Sequence, residues 1–390
     1  MHSWRCAHHG SSSRLVRSAG LRRRLAVLAT VSAIAAGCLA GASGVHANPP
    51  STDQTHVWQQ AFGDDFNGTV LDATKWVTCY WWDYYGCTHG SDELQWYLPA
   101  NVIVSDGTAK LRAQQQTILG SDGKAYDYTS GMISTGSDTN LSTPPRFQYQ
   151  YGYMEIRAKV PSGNGLWPAF WSLPTDQSWP PEIDAMEILG GSPSTNHMSL
   201  HYRDSSGALG TAGSDFTGPD FSSDWHTFGV DWEPDAVVWY LDGVEVFRYT
   251  NAANIPSKPM YVLANLAVGG WAGSPDASTV FPSDYQIDYV RVWQRHADTT
   301  PPSVTITSPA NGAKVRRGST ITLAASDTDN VAVSKVEFYV NGSLLCTRPT
   351  APYSCSWKAP SGAKRTYQIV AKAYDPAGNT STSSVSLSTL

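Results

Sequence analysis

The run PEIDAMEILG at residues 181–190 constrains this chain more than any other stretch. Three carboxylates sit among apolar residues between a proline and a glycine, which reads as a short strand. Side chains on a strand alternate faces, so Glu182 and Asp184 point one way and Ile183 the other. Glu187 is an odd number of residues from Glu182, and strict alternation would send it to the far face. One extra residue, a β-bulge near Ala185 or Met186, brings it back. Three acids on one sheet face repel each other and cost stability, so chemistry explains them better than folding does. The competing reading is an exposed acidic strand held in salt bridges.

The spacing can be set against a mechanism. With the bulge absorbed, the two glutamates stand about four strand steps apart, roughly 13 Å between backbones. Side chains leaning inward on a concave sheet bring the carboxyls to roughly 5–6 Å, which suits a retaining glycosidase better than an inverting one.

Other stretches carry a resemblance. YGYMEIRAKVPSGNGLWPAFWSLP from Tyr151, followed by EIDAME, resembles glycoside hydrolase family sixteen. So do DDFNG from Asp64, ELQWY from Glu93 and IDYVRVWQ from Ile287. The resemblance runs over roughly residues 58–294, and the E-x-D-x-x-E form is similar to the laminarinase-like branch. It implies a jelly-roll β-sandwich with a concave cleft. It also implies a catalytic set in which Glu182 is the nucleophile, Glu187 the acid/base and Asp184 the residue that orients and charges them.

Sugar rings present apolar C–H faces that stack on aromatic rings. Trp167 and Trp171, matched by the family's motif, are therefore expected to bind substrate, with buried core as the alternative. Tyr80, Trp81, Trp82, Tyr84 and Tyr85 lie between Cys79 and Cys87 and read as a cleft rim, or else as a contact between domains. The resemblance places Glu93 and Trp96 on the sugar-binding side. His201 is expected near the acids, with Asn265 and Trp271 as further cleft residues. The chain departs from the family at Ser91-Asp92, where Asn-Asn is common, and at Met132, where Arg is common.

No organic cofactor is implied. A structural calcium is a further expectation from the resemblance, held at Asp65, Gly107 and Asp288, since hard cations prefer oxygen ligands. An ordinary turn hydrogen-bonded to Asp288 is the alternative.

Residues 1–47 hold six arginines and no acid, then an Ala-rich apolar stretch and Val45-His46-Ala47. That is a secretory signal pattern, and the tandem arginines leave a twin-arginine route open. Its removal lowers the basic count from 27 to 21 against 33 acids, a net charge of about −12. Such a surface disfavours nucleic acid and anionic lipid, so a neutral polysaccharide is the simpler partner and a monomer the simpler state. Cys79, Cys87, Cys346 and Cys355 remain, an even number that suggests disulfides in a secreted chain, with local pairing favoured.

The expected plan is a signal at 1–47, a catalytic domain at 48–295, a linker at 296–302 and a module at 303–390. All but Trp4 and Trp357 of the fifteen tryptophans lie in the catalytic domain. Alternating runs at 101–104, 153–160, 226–232, 237–241 and 289–293, and no long amphipathic helix, argue an all-β sandwich. Asp242-Gly243 is a hairpin signal. Strand-like runs at 303–307, 320–325, 335–340, 354–357 and 366–373 fill the tail. Its DNVAVSKVEFYVNG and AYDPAGNTS resemble bacterial immunoglobulin-like modules, which implies a second small β-sandwich serving as a carbohydrate-binding module or a spacer.

The expectation is a secreted retaining endo-hydrolase of β-1,3-glucan, extending to mixed β-1,3-1,4-glucan. The rivals are action on β-1,3-galactan or agarose, transglycosylation, and a glucan-binding protein without activity.

Overall fold

A computed structural model describes residues 49–50, 53–82, 92–138 and 143–390. The segment read as a signal, and Tyr84, Tyr85 and Cys87, lie outside the described residues. Among those residues the regular elements are strands and three short 3₁₀ turns, and no helix is long and apolar enough to cross a membrane.

The first region is built from two antiparallel sheets. One has six strands in the order Leu209–Thr217, Thr195–Arg203, Glu182–Glu187, Leu166–Pro174, Met260–Val268 and Met132–Ser134. The other centres on Val237–Leu241, His226–Trp232, Gly152–Lys159, Ser283–Ala297 and Thr108–Leu119. Alternation along each strand sends one side-chain set inward. Phe170, Ile183, Met186, Leu200 and Val262 of the first sheet meet Ile156, Phe228, Val230, Trp239 and Val290 of the second in one core. Burying each such side chain contributes about 1.5–3 kcal/mol. The opposite face of the six-stranded sheet carries the acids.

Met260–Val268 is buried at every position. Its inner residues belong to the main core. Tyr261 and Leu263, on the other face, pack with Tyr80, Tyr97, Met132 and Leu173 in a second, smaller core. This aromatic cover spans one end of the acid-bearing face. Met132 is fully buried within it, so the position where the resemblance expects Arg is an apolar contact here.

The strands at 226–232 and 237–241 fall where the alternation predicts. Asp242 and Gly243 have φ of 48° and 75°, the left-handed pair that a two-residue hairpin needs. The run at 101–104 starts later, at Val102, because Asn101 closes a 3₁₀ turn and donates its amide to Arg112 O and Thr129 Oγ1. The run at 289–293 is the middle of a longer strand, Ser283–Ala297, which pairs with His56–Asp64. His296 and Ala297 are therefore part of the sheet, and the linker begins at Asp298 rather than 296.

The tail folds as two packed sheets. Ser303–Ser308, Thr320–Thr328 and Tyr353–Lys358 form one; Ala313–Val315, Thr380–Thr389, Thr366–Tyr374, Lys335–Val340 and Ser343–Arg348 form the other. A Cys346–Cys355 disulfide joins the two sheets, as local pairing predicts. Cys79 is also disulfide-bonded. Trp357 is buried and packs edge-on against Tyr367, so the module's lone tryptophan is core and not a sugar platform.

Candidate active site

The bulge on the acid strand is visible from both neighbours. Across to Thr195–Arg203, Glu182 faces His201, Asp184 faces Ser199 and Glu187 faces His197, a three-residue step against a two-residue step. Across to Leu166–Pro174, Asp184 faces Trp171 and Met186 faces Phe170. Ala185 is the extra residue. Directly opposed residues share a face, so Glu182, Asp184 and Glu187 stand on one face with Trp171, Ala169, His201 and His197. Ile183, Ala185 and Met186 all enter the core.

A bulge leaves backbone groups without ladder partners, and buried ones must find others. Asn196 meets this need. Its Nδ2 donates to Ala185 O at 3.2 Å, and its Oδ1 accepts from Glu187 N at 3.2 Å. From the opposite sheet, Trp239 Nε1 donates to Asp184 O at 2.8 Å. Three side-chain contacts thus hold the irregularity that puts Glu187 beside its partners.

The electrostatics separate the three acids. Asp184 is 1% exposed, and its Oδ2 lies 3.4 Å from His201 Nε2. Burial lowers the His201 imidazole's pKa, but Asp184 and Glu182 outweigh it and raise it to about 9, so the ring is a cation at neutral pH. Its Nδ1 lies 2.9 Å from Thr211 Oγ1. Burial and the charge of Asp184 raise Glu182, while the His201 cation and a 2.6 Å hydrogen bond from Trp179 Nε1 favour its ionised form. Burial raises Glu187 far above the carboxylate range, with the charges of Asp184 and Glu182 adding to it. The Trp167 indole opposes the rise. Both glutamates are thus raised, and only Glu182 has the His201 imidazole opposing the rise. Glu182, Asp184 and His201 have ligand atoms within 4.8 Å of one another. A doubly protonated imidazole offers no lone pair, so the set suits proton chemistry better than a metal ion.

Aromatics flank the acids on both sides. Trp171 is held by a 2.8 Å hydrogen bond from its Nε1 to Asn265 Oδ1, and Asn265 Nδ2 donates to Tyr97 hydroxyl at 3.1 Å. Asn265 is buried, so it positions Trp171 and does not itself line the open face. Tyr80 and Trp82 pack against Trp171 at centroid separations of 6.1 and 6.4 Å. Trp82 is 38% exposed, as a rim residue would be, while Tyr80 is buried and Trp81 donates to Tyr261 hydroxyl. Toward Glu187, Trp167 packs edge-on against Trp271, which also contacts His197. Gly270, at φ 58°, lets Trp167 and Glu93 pack close to the chain; a Cβ there would come within 3.0 Å of the indole and 3.2 Å of Glu93 Cγ. Burial raises the Glu93 carboxyl to about 7, with Gln95 and Tyr97 opposing the rise.

Trp96 does not join them. On the strand Gln95–Tyr97, Gln95 and Tyr97 turn toward Val268 and Asn265. Trp96 therefore faces the other way, where it is buried against Tyr126. The expectation that it binds substrate is corrected by the alternation of its own strand.

Comparison with known proteins follows the same outline. The sequence profile of Glycosyl hydrolases family 16 matches residues 92–291. The chain belongs to that family. A Bacterial Ig domain profile matches residues 302–371. An endo-1,3-1,4-beta-glycanase of Rhizobium meliloti is 36% identical over 66% of this chain and 56% of its own length. A glucan endo-1,3-beta-glucosidase A1 of Niallia circulans is 33% identical over 64% of this chain and 39% of its own. The chain spans about half the length of the curated relatives it matches. Among solved structures, an endo-beta-1,3-glucanase from Pyrococcus furiosus aligns with a TM-score of 0.53 and 31% identity, covering 63% of this chain and 99% of that one. The laminarinase catalytic domain of Thermotoga maritima aligns at 0.54 and 31%, covering 62% and 99%. The family-16 jelly roll is thus the fold of the first region.

The calcium set expected from the family resemblance is differently engaged. Arg291 grips Asp65 at 2.7 Å and Arg157 grips Asp288 at 2.6 Å. Each of these two carboxylates is thus ion-paired within the protein. Two further residues of this family-16 site escaped the sequence. Trp179 precedes two prolines and has no periodic pattern around it. Asn196 is one polar residue among several in a strand, and nothing local marks its partner.

Proposed function

We propose that this chain is a secreted retaining endo-glycosidase that hydrolyses β-1,3-glucan, with mixed β-1,3-1,4-glucan as a second substrate. The observation that carries the reading is the bulge at Ala185, which sets two glutamates on one aromatic-flanked face. The activities of the relatives in Rhizobium meliloti and Niallia circulans support the linkage, and the signal pattern at residues 1–47 supports export.

The ionised Glu182 attacks the anomeric carbon while Glu187 gives its proton to the departing oxygen. A glycosyl-enzyme forms at Glu182. Glu187, now ionised, takes a proton from water, which attacks the same carbon and releases Glu182. Asp184 holds the negative charge that keeps Glu187 protonated, and the His201 cation limits what that charge costs Glu182. Trp171 and Trp167 offer stacking faces on either side of the bond to be cut.

The test is reducing-end release by the chain lacking residues 1–47, on laminarin, lichenan, galactan and agarose, with the first-formed anomer read by NMR. Rapid cleavage of laminarin with a β-anomer formed first is expected. Cleavage of galactan or agarose with laminarin untouched would overturn the substrate, and an α-anomer formed first would overturn the mechanism.

A further inference from the structure

Three aspartates meet where the linker enters the C-terminal module. Asp298 follows the end of Ser283–Ala297, Asp329 follows Thr320–Thr328, and Asp375 follows Thr366–Tyr374. One carboxylate oxygen from each lies within 4.8 Å of the other two. Asp298 and Asp375 are 4% and 3% exposed.

Local donors account for part of their bonding. Asp298 Oδ1 accepts from Thr300 N at 3.0 Å and Asn330 Nδ2 at 3.1 Å. Asp329 Oδ2 accepts from Val331 N at 3.0 Å and Ala332 N at 2.9 Å. Asp375 accepts from Asn379 N at 2.7 Å and Asn379 Nδ2 at 2.8 Å. Among the described residues, Asp298 Oδ2 and Asp329 Oδ1 are buried with no hydrogen-bond donor. Among the described residues, no ion pair reaches any of the three.

A buried carboxylate oxygen without a donor is costly, and like charges this close add repulsion. Among the described residues nothing relieves either. We infer that Asp298, Asp329 and Asp375 form a divalent-cation site, and that the ion is calcium. The donor set is all oxygen and anionic, with no imidazole or thiolate, which selects a hard cation. The ligands come from a linker and two separate loops. Such an irregular set suits the loose coordination of calcium better than the strict octahedron of magnesium. Asn330 and Asn379 hold the carboxylates in place from behind, and Asn379 Nδ2 also donates to Asp298 O at 2.9 Å. The ion therefore fastens the linker to the module it leads into.

The experiment uses the full chain without residues 1–47, stripped with EDTA and followed by calorimetry as CaCl2 or MgCl2 is added. Two millimolar CaCl2 is expected to raise the module's melting transition by about 5–10 °C, given a Kd on the order of 10⁻⁴ M. MgCl2 is expected to do less. Asp329→Asn keeps an oxygen for Val331 N and Ala332 N, so it folds, and it is expected to lose the calcium response while keeping full glucanase activity. Equilibrium dialysis is expected to show one calcium fewer bound by the variant than by the parent. A melting transition indifferent to calcium would overturn the site, and so would an undiminished calcium count in Asp329→Asn. If that variant does not fold, the parent's calcium count decides alone: no bound calcium sinks the inference.

Discussion

Two groups of three carboxyl side chains stand in this chain, one on the acid strand and one at the start of the module. Both are at least partly buried and both are crowded. On the acid strand, the His201 cation, the Trp179 indole and protonation share the strain among them. At the linker, amides and backbone N–H groups satisfy some oxygens and leave two with nothing. The first arrangement holds two raised carboxyls side by side on an aromatic-flanked face, which suits proton transfer. The second has two carboxylate oxygens without a donor and no cation among the described residues, which an ion would relieve.

Neutralising single carboxyls separates the two cases. Glu182→Gln removes the attacking group, and hydrolysis of laminarin is expected to fall by on the order of 10⁴- to 10⁶-fold with binding retained. A residual rate above one per cent would erase the contrast. Glu187→Gln removes the proton donor, with an expected loss of about 10²- to 10⁴-fold in kcat. It also carries a stability signature. A carboxyl whose folded pKa is raised favours the fold at low pH, and that advantage is lost as pH climbs from its unfolded value through the folded one. Glutamine escapes the loss, so melting of Glu187→Gln is expected to exceed the parent increasingly as pH rises above the ordinary carboxylate range, by about 2–4 °C for each kcal/mol relieved. Neutralising Asp329 in the presence of calcium is expected to lower melting instead. A shift of the same sign at both places would make the two groups alike.

Smaller effects sharpen the picture of the acid strand. Asn196→Ala leaves the bulge's backbone groups unpaired and is expected to cost about 1–3 kcal/mol in urea denaturation. His201→Gln removes the cation beside Glu182 and Asp184. Glu182 then ionises less readily, so the acid limb of the pH–rate profile is expected to move upward by about one unit. A limb that stays put would detach His201 from the charge balance.

Much of the acid strand was legible because parity can be counted. An odd interval between two glutamates, on a strand with apolar residues to bury, demands one irregular residue, and Ala185 is it. The hairpin at Asp242-Gly243 was legible for a similar reason, since few residue pairs accept two positive φ values. Trp96 was not legible. Its short strand carries large side chains on both faces, and only the hydrogen bonds of Gln95 and Tyr97 tell which face is which. Asn196 was hidden because its partners are backbone atoms of another strand, freed by an irregularity that composition does not announce. The start of the linker was misplaced because His296 and Ala297 look like neither strand nor loop, and their pairing partners His56 and Val57 lie at the other end of the chain.

The extra residue at Ala185 also sets how this strand would respond to a change in length. Deleting Ala185 alone would leave Glu182, Asp184 and the present Glu187 on one face by plain alternation, with nothing doubled up. The three acids would keep their shared face. What would not survive is the use found for the surplus backbone: the Asn196 amide would face a ladder already complete, and the core would be short of one methyl. Tolerance to the excision therefore rests with position 196, and a smaller or apolar side chain there is the change that would have to accompany it.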